Sequence, residues 1–403
     1  MAFFGDGLAF GPDLQSAVRQ AVEQALAPLD GPPSLVFVFV GGGGADPGAG
    51  AEAVERAGAE AMAAVPGIPG RPAVIGCTAS GVIGAGHGVE DAGAVSAWAA
   101  MLPGARVTPF RLDTERAPDG VVVAGMPVPA AEDRIAVLLA DPYRFPVDAF
   151  VAESTDQLGG LPIVGGLAGD PARSAGAAVR LYLDGEVITG GAVGVLIGGP
   201  LEVATVVSQG CRPVGPPMVV TRAAGNEIAE LAGRQALPKL EGVVTALPEA
   251  EQMLAAEGLH IGIAMDEYAD DHDRGDFLVR SVIGADPLAG TLTIGDVVEV
   301  GQTVRFQVRD AVTAAADLDR LLSVFGTVSG IDPVGGALLF SCNGRGAAFF
   351  GTADHDVDAV RRVLAPEAVG GFFAAGEIGP IGGRNHVHGF TASILMFGPG
   401  TGG

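Results

Sequence analysis

Short runs of bulky apolar residues that break into glycine turns constrain this chain more than any other feature. In Leu338-Leu339-Phe340-Ser341-Cys342-Asn343-Gly344-Arg345-Gly346, several large side chains follow one another with no polar face to turn to water, which predicts a buried strand. Gly344 and Gly346 then let the backbone turn sharply and approach a ligand closely, because a residue without a Cβ tolerates positive φ. Cys342, Asn343 and Arg345 are thereby held at a strand end, where binding groups sit on a rigid scaffold. A small buried cysteine and a surface arginine would leave the same letters.

The same pattern recurs. Leu35 to Val40, Ala73 to Gly81, Ile135 to Ala140 and Ala192 to Ile197 read as strands, and the second of them places Gly81 four positions after Cys77. Helical spacing alternates with them. Asp13 precedes Leu14, Val18, Val22, Leu26 and Leu29, and further helices are predicted over 146–158, 318–325 and 357–364. Asp184-Gly185 between two short apolar runs is a two-residue hairpin turn. Gly225-Asn226 reads as the cap of a helix carrying Ile228, Leu231 and Ala232.

The fold class is therefore α/β with mixed sheets, in two tandem sheet-and-helix domains. A chain of 403 residues with 48% hydrophobic content supports that number of cores. The expected limits are an N-terminal helix and linker over 1–32, domains over 33–222 and 223–397, and a disordered tail over 398–403.

Composition removes several function classes. Twenty-three basic residues against 47 acidic ones give a net charge of −24, which repels phosphate backbones and anionic lipid, so neither nucleic acid nor a membrane is an expected partner. Lys239 is the only lysine and lacks a glycine loop, which disfavours Schiff-base and Walker-type chemistry. Three cysteines without CxxC spacing argue against disulfides or structural zinc and fit a reducing cytoplasm. No basic residue precedes Arg19, so no secretory signal is expected, and the uncharged run Val187 to Leu201 is too broken by glycine to span a bilayer. The loop from Gly41 to Gly50 follows a strand but fits neither GxGxxG nor GK[ST], and the acidic loop Asp266 to Asp276 lacks a calcium-loop register.

Several motifs, in order, resemble the FIST family: Phe340-Ser341-Cys342-Asn343-Gly344-Arg345-Gly346, Gly376-Glu377-Ile378-Gly379-Pro380 and His388-Gly389-Phe390-Thr391, with Ile75 to Gly81 and Gly166 to Asp170 matching in kind. Phe390 stands where that pattern suggests a more polar residue. The resemblance implies tandem N-terminal and C-terminal FIST domains and a sensory, ligand-binding role in intracellular signal transduction, with amino-acid-like small molecules as the proposed ligands. Some members are similar to haem-based nitric oxide sensors. The sequence shows no kinase or cyclase segment, so the expected sensor acts on a separate signalling protein.

The two halves also read as distant copies, Cys77 and Gly81 paralleling Cys342 and Gly346, and Asp170 paralleling Glu377. Chance similarity of short glycine motifs would look the same. If the copies are real, a pseudo-twofold arrangement would line a cleft between domains with Asp170, Glu377, Arg345 and the cysteines. Arg345 could then grip a carboxylate while Asp170 or Glu377 meets an ammonium; alternatively Glu377 merely pairs with Arg345. His386 and His388 lie two apart on a strand and face one side, a geometry open to non-covalent haem, since no CxxCH is present. Cys342, His388 and Glu377 could in principle form a cysteine-dependent enzyme, the third reading. A ligand-binding sensor rather than an enzyme is expected.

Overall fold

The structure, a computed structural model, describes residues 3–11, 13–42, 72–90, 92–117, 120–169, 179–267, 277–328 and 330–399. The glycine loop beyond residue 42 with the helix expected after it, Asp170, most of the acidic loop and the end of the tail lie outside the described residues. Two compact units emerge: Met1–Ser208 with Leu318–Val387 and Thr391–Gly403, and Gln209–Asp317 with His388–Phe390.

The larger unit repeats one topology three times. The first copy is β1 (Phe4–Phe10), α1 (Leu14–Leu26), β2 (Leu35–Gly41), β3 (Ala73–Ala79), the hairpin β4 (Gly81–Gly84) and β5 (His87–Val89), and β6 (Ala94–Ala100). The second is β7 (Arg106–Ala117) with β8 (Gly120–Ala124), β9 (Asp133–Ala140), α2 (Val147–Gln157), β10 (Ile163–Leu167), the hairpin β11 (Leu181–Leu183) and β12 (Glu186–Ile188), and β13 (Ala192–Gly198). The third begins at β14 (Val203–Gln209) and is interrupted by the smaller unit.

That insertion holds β15 (Cys211–Pro213), β16 (Met218–Ala224), β17 (Glu227–Leu231), β18 (Arg234–Gln235), α3 (Ala236–Ala246), α4 (Glu249–Glu257), β19 (Leu259–Ala264), β20 (Phe277–Asp286), β21 (Thr291–Ile294) and β22 (Thr303–Arg309). The third copy then resumes with α5 (Ala311–Val328), β23 (Gly336–Cys342), α6 (Ala347–Phe350), α7 (His355–Leu364), β24 (Ala368–Ala374), the hairpin β25 (Glu377–Ile381) and β26 (Arg384–His388), and β27 (Thr391–Phe397).

Each copy supplies the same sheet centre. β2 and β3, β9 and β10, and β23 and β24 pair in parallel, and β6, β13 and β27 run antiparallel beside the first strand of each pair. The hairpins, however, leave their own sheets. The hairpin β4–β5 adds to β24, β11–β12 adds to β3, and β25–β26 adds to β10, so each copy completes the sheet of another in a closed cycle.

Alternation explains the layering, because successive side chains of a strand point to opposite faces. Leu35, Phe37 and Phe39 face a core shared with Val137, Leu139, Leu338 and Phe340 from the other two sheets. Val36, Val38 and Val40 face the other way, against Ala17, Val18, Ala21 and Val22 of α1, whose N-terminus is capped by Asp13. A glycine recurs in the second parallel strand: a Cβ on Gly76 or Gly371 would lie 2.0 Å or 1.8 Å from the carbonyl oxygen of Val38 or Leu339. Ser96 and Ser393 recur too, each donating to a hairpin carbonyl, of Ile83 and Ile378.

This repeat corrects the two-copy reading. Cys77 lies on the second strand of its parallel pair and Cys342 at the end of the first, so they are not equivalent, and the cycle has three members.

In the smaller unit the sheet closes on itself. β22 pairs with β16, β17 follows β16, β21, β20 and β19 continue the ladder, and β19 returns to β22 around Ile228, Ile261, Ile294 and Phe306. Closure leaves no long unpaired edge among the described strands. The helix expected at 226–232 is the strand β17: Gly225, at φ +60, is the turn of a β16–β17 hairpin that pairs Ala223 with Ile228. The Asp184-Gly185 hairpin and the helices α1, α2, α5 and α7 lie where the sequence predicts them. Among the described residues, no helix is long and apolar enough to cross a membrane.

Candidate functional site

The stretch that ends β23 builds its own turn. The Asn343 N–H donates to the Ala374 carbonyl on the neighbouring parallel strand, and the Arg345 N–H donates to the Cys342 carbonyl at 2.8 Å. Ser341 and Cys342 therefore point to opposite faces of the sheet, while Arg345 is turned back over its end.

Arg345 is 2% exposed and lies at the centre of a buried charge network. Its Nε and Nη2 donate to the two carboxylate oxygens of Asp356 on α7 at 2.8 and 2.9 Å, a bidentate fork. Asp356 also accepts from the Ser341 hydroxyl at 2.7 Å and contacts His355 Nδ1 at 2.9 Å. Phe350 stacks on His355 with centroids 3.6 Å apart and receives the guanidinium at 5.1 Å. Burial alone would raise the Asp356 pKa, but the Arg345 charge and the hydrogen bonds outweigh it and hold the carboxyl well below its usual range. One guanidinium nitrogen, Nη1, has no hydrogen-bond partner.

Glu377 opens β25 and is fully buried. Its Oε2 accepts from the Thr391 N–H at 3.0 Å and from the Thr391 hydroxyl at 2.7 Å, while Oε1 has no partner. Burial pushes its pKa up to about 8, against the pull of Thr391, the Cys342 thiol and the Arg345 charge, so the carboxyl is mostly protonated at neutral pH. Cys342, Arg345 and Glu377 thus share one electrostatic neighbourhood.

The threefold repeat shows which of these groups the fold requires. Strand register places Gly41 and Asp141 where Cys342 stands, and Ala94 and Gly191 where Thr391 stands. By their pairing with the parallel strands, Val82 and Leu181 take the place of Glu377. The first copy is thus built of Gly, Ala and Val at these positions and folds alike. The thiol, hydroxyl and carboxyl of the third copy are not needed for packing.

Other expected site residues fall elsewhere. Cys77 is sealed in the shared core among Phe39, Ile75 and Leu181, and burial raises its thiol pKa well above the ordinary value. Asn343 lies beside the thiol, its Oδ1 3.8 Å from Cys342 Sγ. The close approach that Gly346 permits is made by a side chain of the protein itself. A Cβ there would meet the Glu90 carboxylate at 2.2 Å, and that carboxylate accepts the Ala347 N–H at 2.7 Å. His386 and His388 lie on β26, half-buried and buried. No group of three His, Cys, Asp or Glu side chains among the described residues is arranged to hold a metal ion.

Asp356 and Thr391 were not anticipated. The His355-Asp356-Val357-Asp358 stretch reads as an exposed helix start, and only the Arg345 fork shows why its first aspartate is buried.

A FIST N domain model matches residues 34–234, and a FIST C domain model matches residues 236–380. The chain belongs to the FIST family. The two matches meet inside the smaller unit, so the FIST N domain holds most of the first two topological copies and the FIST C domain most of the third. The full-length similarity extends to uncharacterized protein Rv0628c of Mycobacterium tuberculosis, 40% identical over 395 residues covering 98% of this chain and 99% of the relative. Uncharacterized protein Mb0898c of Mycobacterium bovis is also 40% identical, over 98% of both chains. FIST domains are associated with sensing in signal transduction.

Proposed function

We propose that this FIST protein is a cytoplasmic sensor that binds a small amino-acid-like molecule at Cys342, Arg345 and Glu377 and signals by acting on a separate protein. The observation that carries the reading is the pair of orphaned buried atoms. Arg345 Nη1 is a charged donor suited to a ligand carboxylate, and Glu377 Oε1 is an oxygen suited to a ligand ammonium. Both costs of burial are relieved by one zwitterion, because leaving a buried polar group unmade costs about 1–3 kcal/mol each. Asp356 meanwhile keeps the guanidinium oriented without using Nη1.

Binding requires differential affinity for two states if it is to signal. Glu377 offers one such difference: neutral without ligand, it is ionised by an ammonium placed against Oε1, and its hydrogen bonds to Thr391 strengthen on ionisation.

The test is mass spectrometry of small molecules released on denaturing the purified protein, joined to an absorption spectrum and a thermal-shift screen of amino acids. The expected result is a colourless protein stabilised by an amino acid, with the effect lost in Glu377→Gln. A Soret band, or amino-acid stabilisation that survives Glu377→Gln unchanged, would overturn the reading.

A further inference from the structure

A second pair of orphaned buried atoms lies in the smaller unit, on residues that neither the sequence motifs nor the proposed function uses. His260 on β19 and Gln307 on β22 are directly opposite in register and are 4% and 1% exposed. Directly opposed strand residues have Cβ atoms about 5 Å apart and share a face. Neither His260 Nδ1 nor Gln307 Oε1 has a hydrogen-bond partner.

Both are acceptors. A neutral imidazole carries a single N–H, and with that proton on Nε2 the unpartnered Nδ1 is the acceptor. Burial first, and the Arg309 charge second, lower the His260 pKa to about 4 and keep the ring neutral. The Gln307 amide lies over Gly262, where a Cβ would come 2.4 Å from Nε2. Its nitrogen is thereby turned to that glycine.

Phe390 frames these atoms. It adopts a left-handed φ of +58, rare for a bulky residue, and its backbone is fixed by the Gly210 N–H donating to its carbonyl at 2.7 Å. Its ring meets His260 edge to face at 4.4 Å and carries the Arg309 guanidinium at 4.6 Å. The strained backbone holds an aromatic ring where the FIST pattern suggests a polar group.

We propose that this face of the smaller unit is a second binding site, selective for an uncharged ligand that presents N–H donors, of the primary carboxamide class. One –NH2 group supplies two donors, one for each acceptor. Arg309 excludes cationic donors such as ammonium or amidinium by like-charge repulsion. The ring of Phe390 offers a surface for a flat ligand.

The test uses the full chain labelled with 15N-histidine, whose six histidines give a tractable spectrum, with His260→Phe assigning the resonance. Nicotinamide is the neutral probe and benzamidine the cationic one. The expected result is a saturable upfield shift of the His260 Nδ1 signal with nicotinamide and none with benzamidine. Nicotinamide affinity should fall at least tenfold in Gln307→Leu. Should that variant not fold, Gln307→Glu replaces it and should shift preference toward benzamidine. A Nδ1 signal already in the donor-bonded position and unmoved by nicotinamide would mean that water alone fills the site. That result, equal response to both probes, or full nicotinamide affinity in the Gln307 variant would overturn the proposal.

Discussion

Replacing Glu377 by glutamine should stabilise the larger unit, and increasingly so as pH rises. The carboxyl is buried with Oε1 unpartnered, and its pKa is raised from 4.5 to about 8. A raised carboxyl pKa means that the folded state holds a proton the unfolded state releases, so stability is complete below the unfolded value and is lost as pH climbs through the folded one. The interval from 4.5 to about 8 corresponds to roughly 5 kcal/mol as an upper limit, spread between about pH 4 and pH 9. Glutamine keeps an oxygen for the two Thr391 donors and has no charge to bury. Guanidinium unfolding across that pH range, read by fluorescence of Trp98, the only tryptophan and a member of the shared core, measures the difference. The two proteins should match near pH 5 and diverge by a few kcal/mol at pH 9. Parallel stability curves for wild type and Glu377→Gln would refute the reasoning.

Other outcomes follow from the same geometry. Calorimetric titration with a stabilising amino acid at pH 7, repeated in buffers of different ionisation enthalpy, should show release of close to one proton by the wild type and none by Glu377→Gln. Asp356→Ala strands a buried guanidinium and should cost about 3–5 kcal/mol in the same unfolding assay, more than Arg362→Ala on the exposed pair with Asp319. Gly371→Ala forces a Cβ against the Leu339 carbonyl and should leave little folded protein in soluble expression trials, whereas Gly382→Ala meets no neighbouring atom and should cost far less. Alkylation of native protein should spare Cys77 until the larger unit unfolds, as peptide mapping would show.

Local chemistry was legible in the sequence wherever a contact is short-range. Continuous apolar runs became the central strands, Asp184-Gly185 became a hairpin, and the strand-end reading of Cys342 and Arg345 describes where they lie. The threefold repeat was hidden for two reasons. Its hairpins pair with strands hundreds of residues away, as Gly81 does with Phe373, and no periodicity within a window reports such a partner. An insertion of about a hundred residues also separates β14 from the rest of its copy. The site was only partly visible because Asp356 sits among charged neighbours that look solvated, and His260 on an alternating strand looks like any half-buried residue.

The exchanged hairpins have an assembly consequence. A polypeptide encoding one copy alone would expose a sheet lacking its hairpin and a hairpin lacking its sheet, and only a ring of three such chains would satisfy both. Here that ring is a single covalent chain, so its copies no longer need to be identical. One strand end can exchange the glycine, alanine and valine of the first copy for a thiol, a hydroxyl and a buried acid while the other two continue to serve as framework.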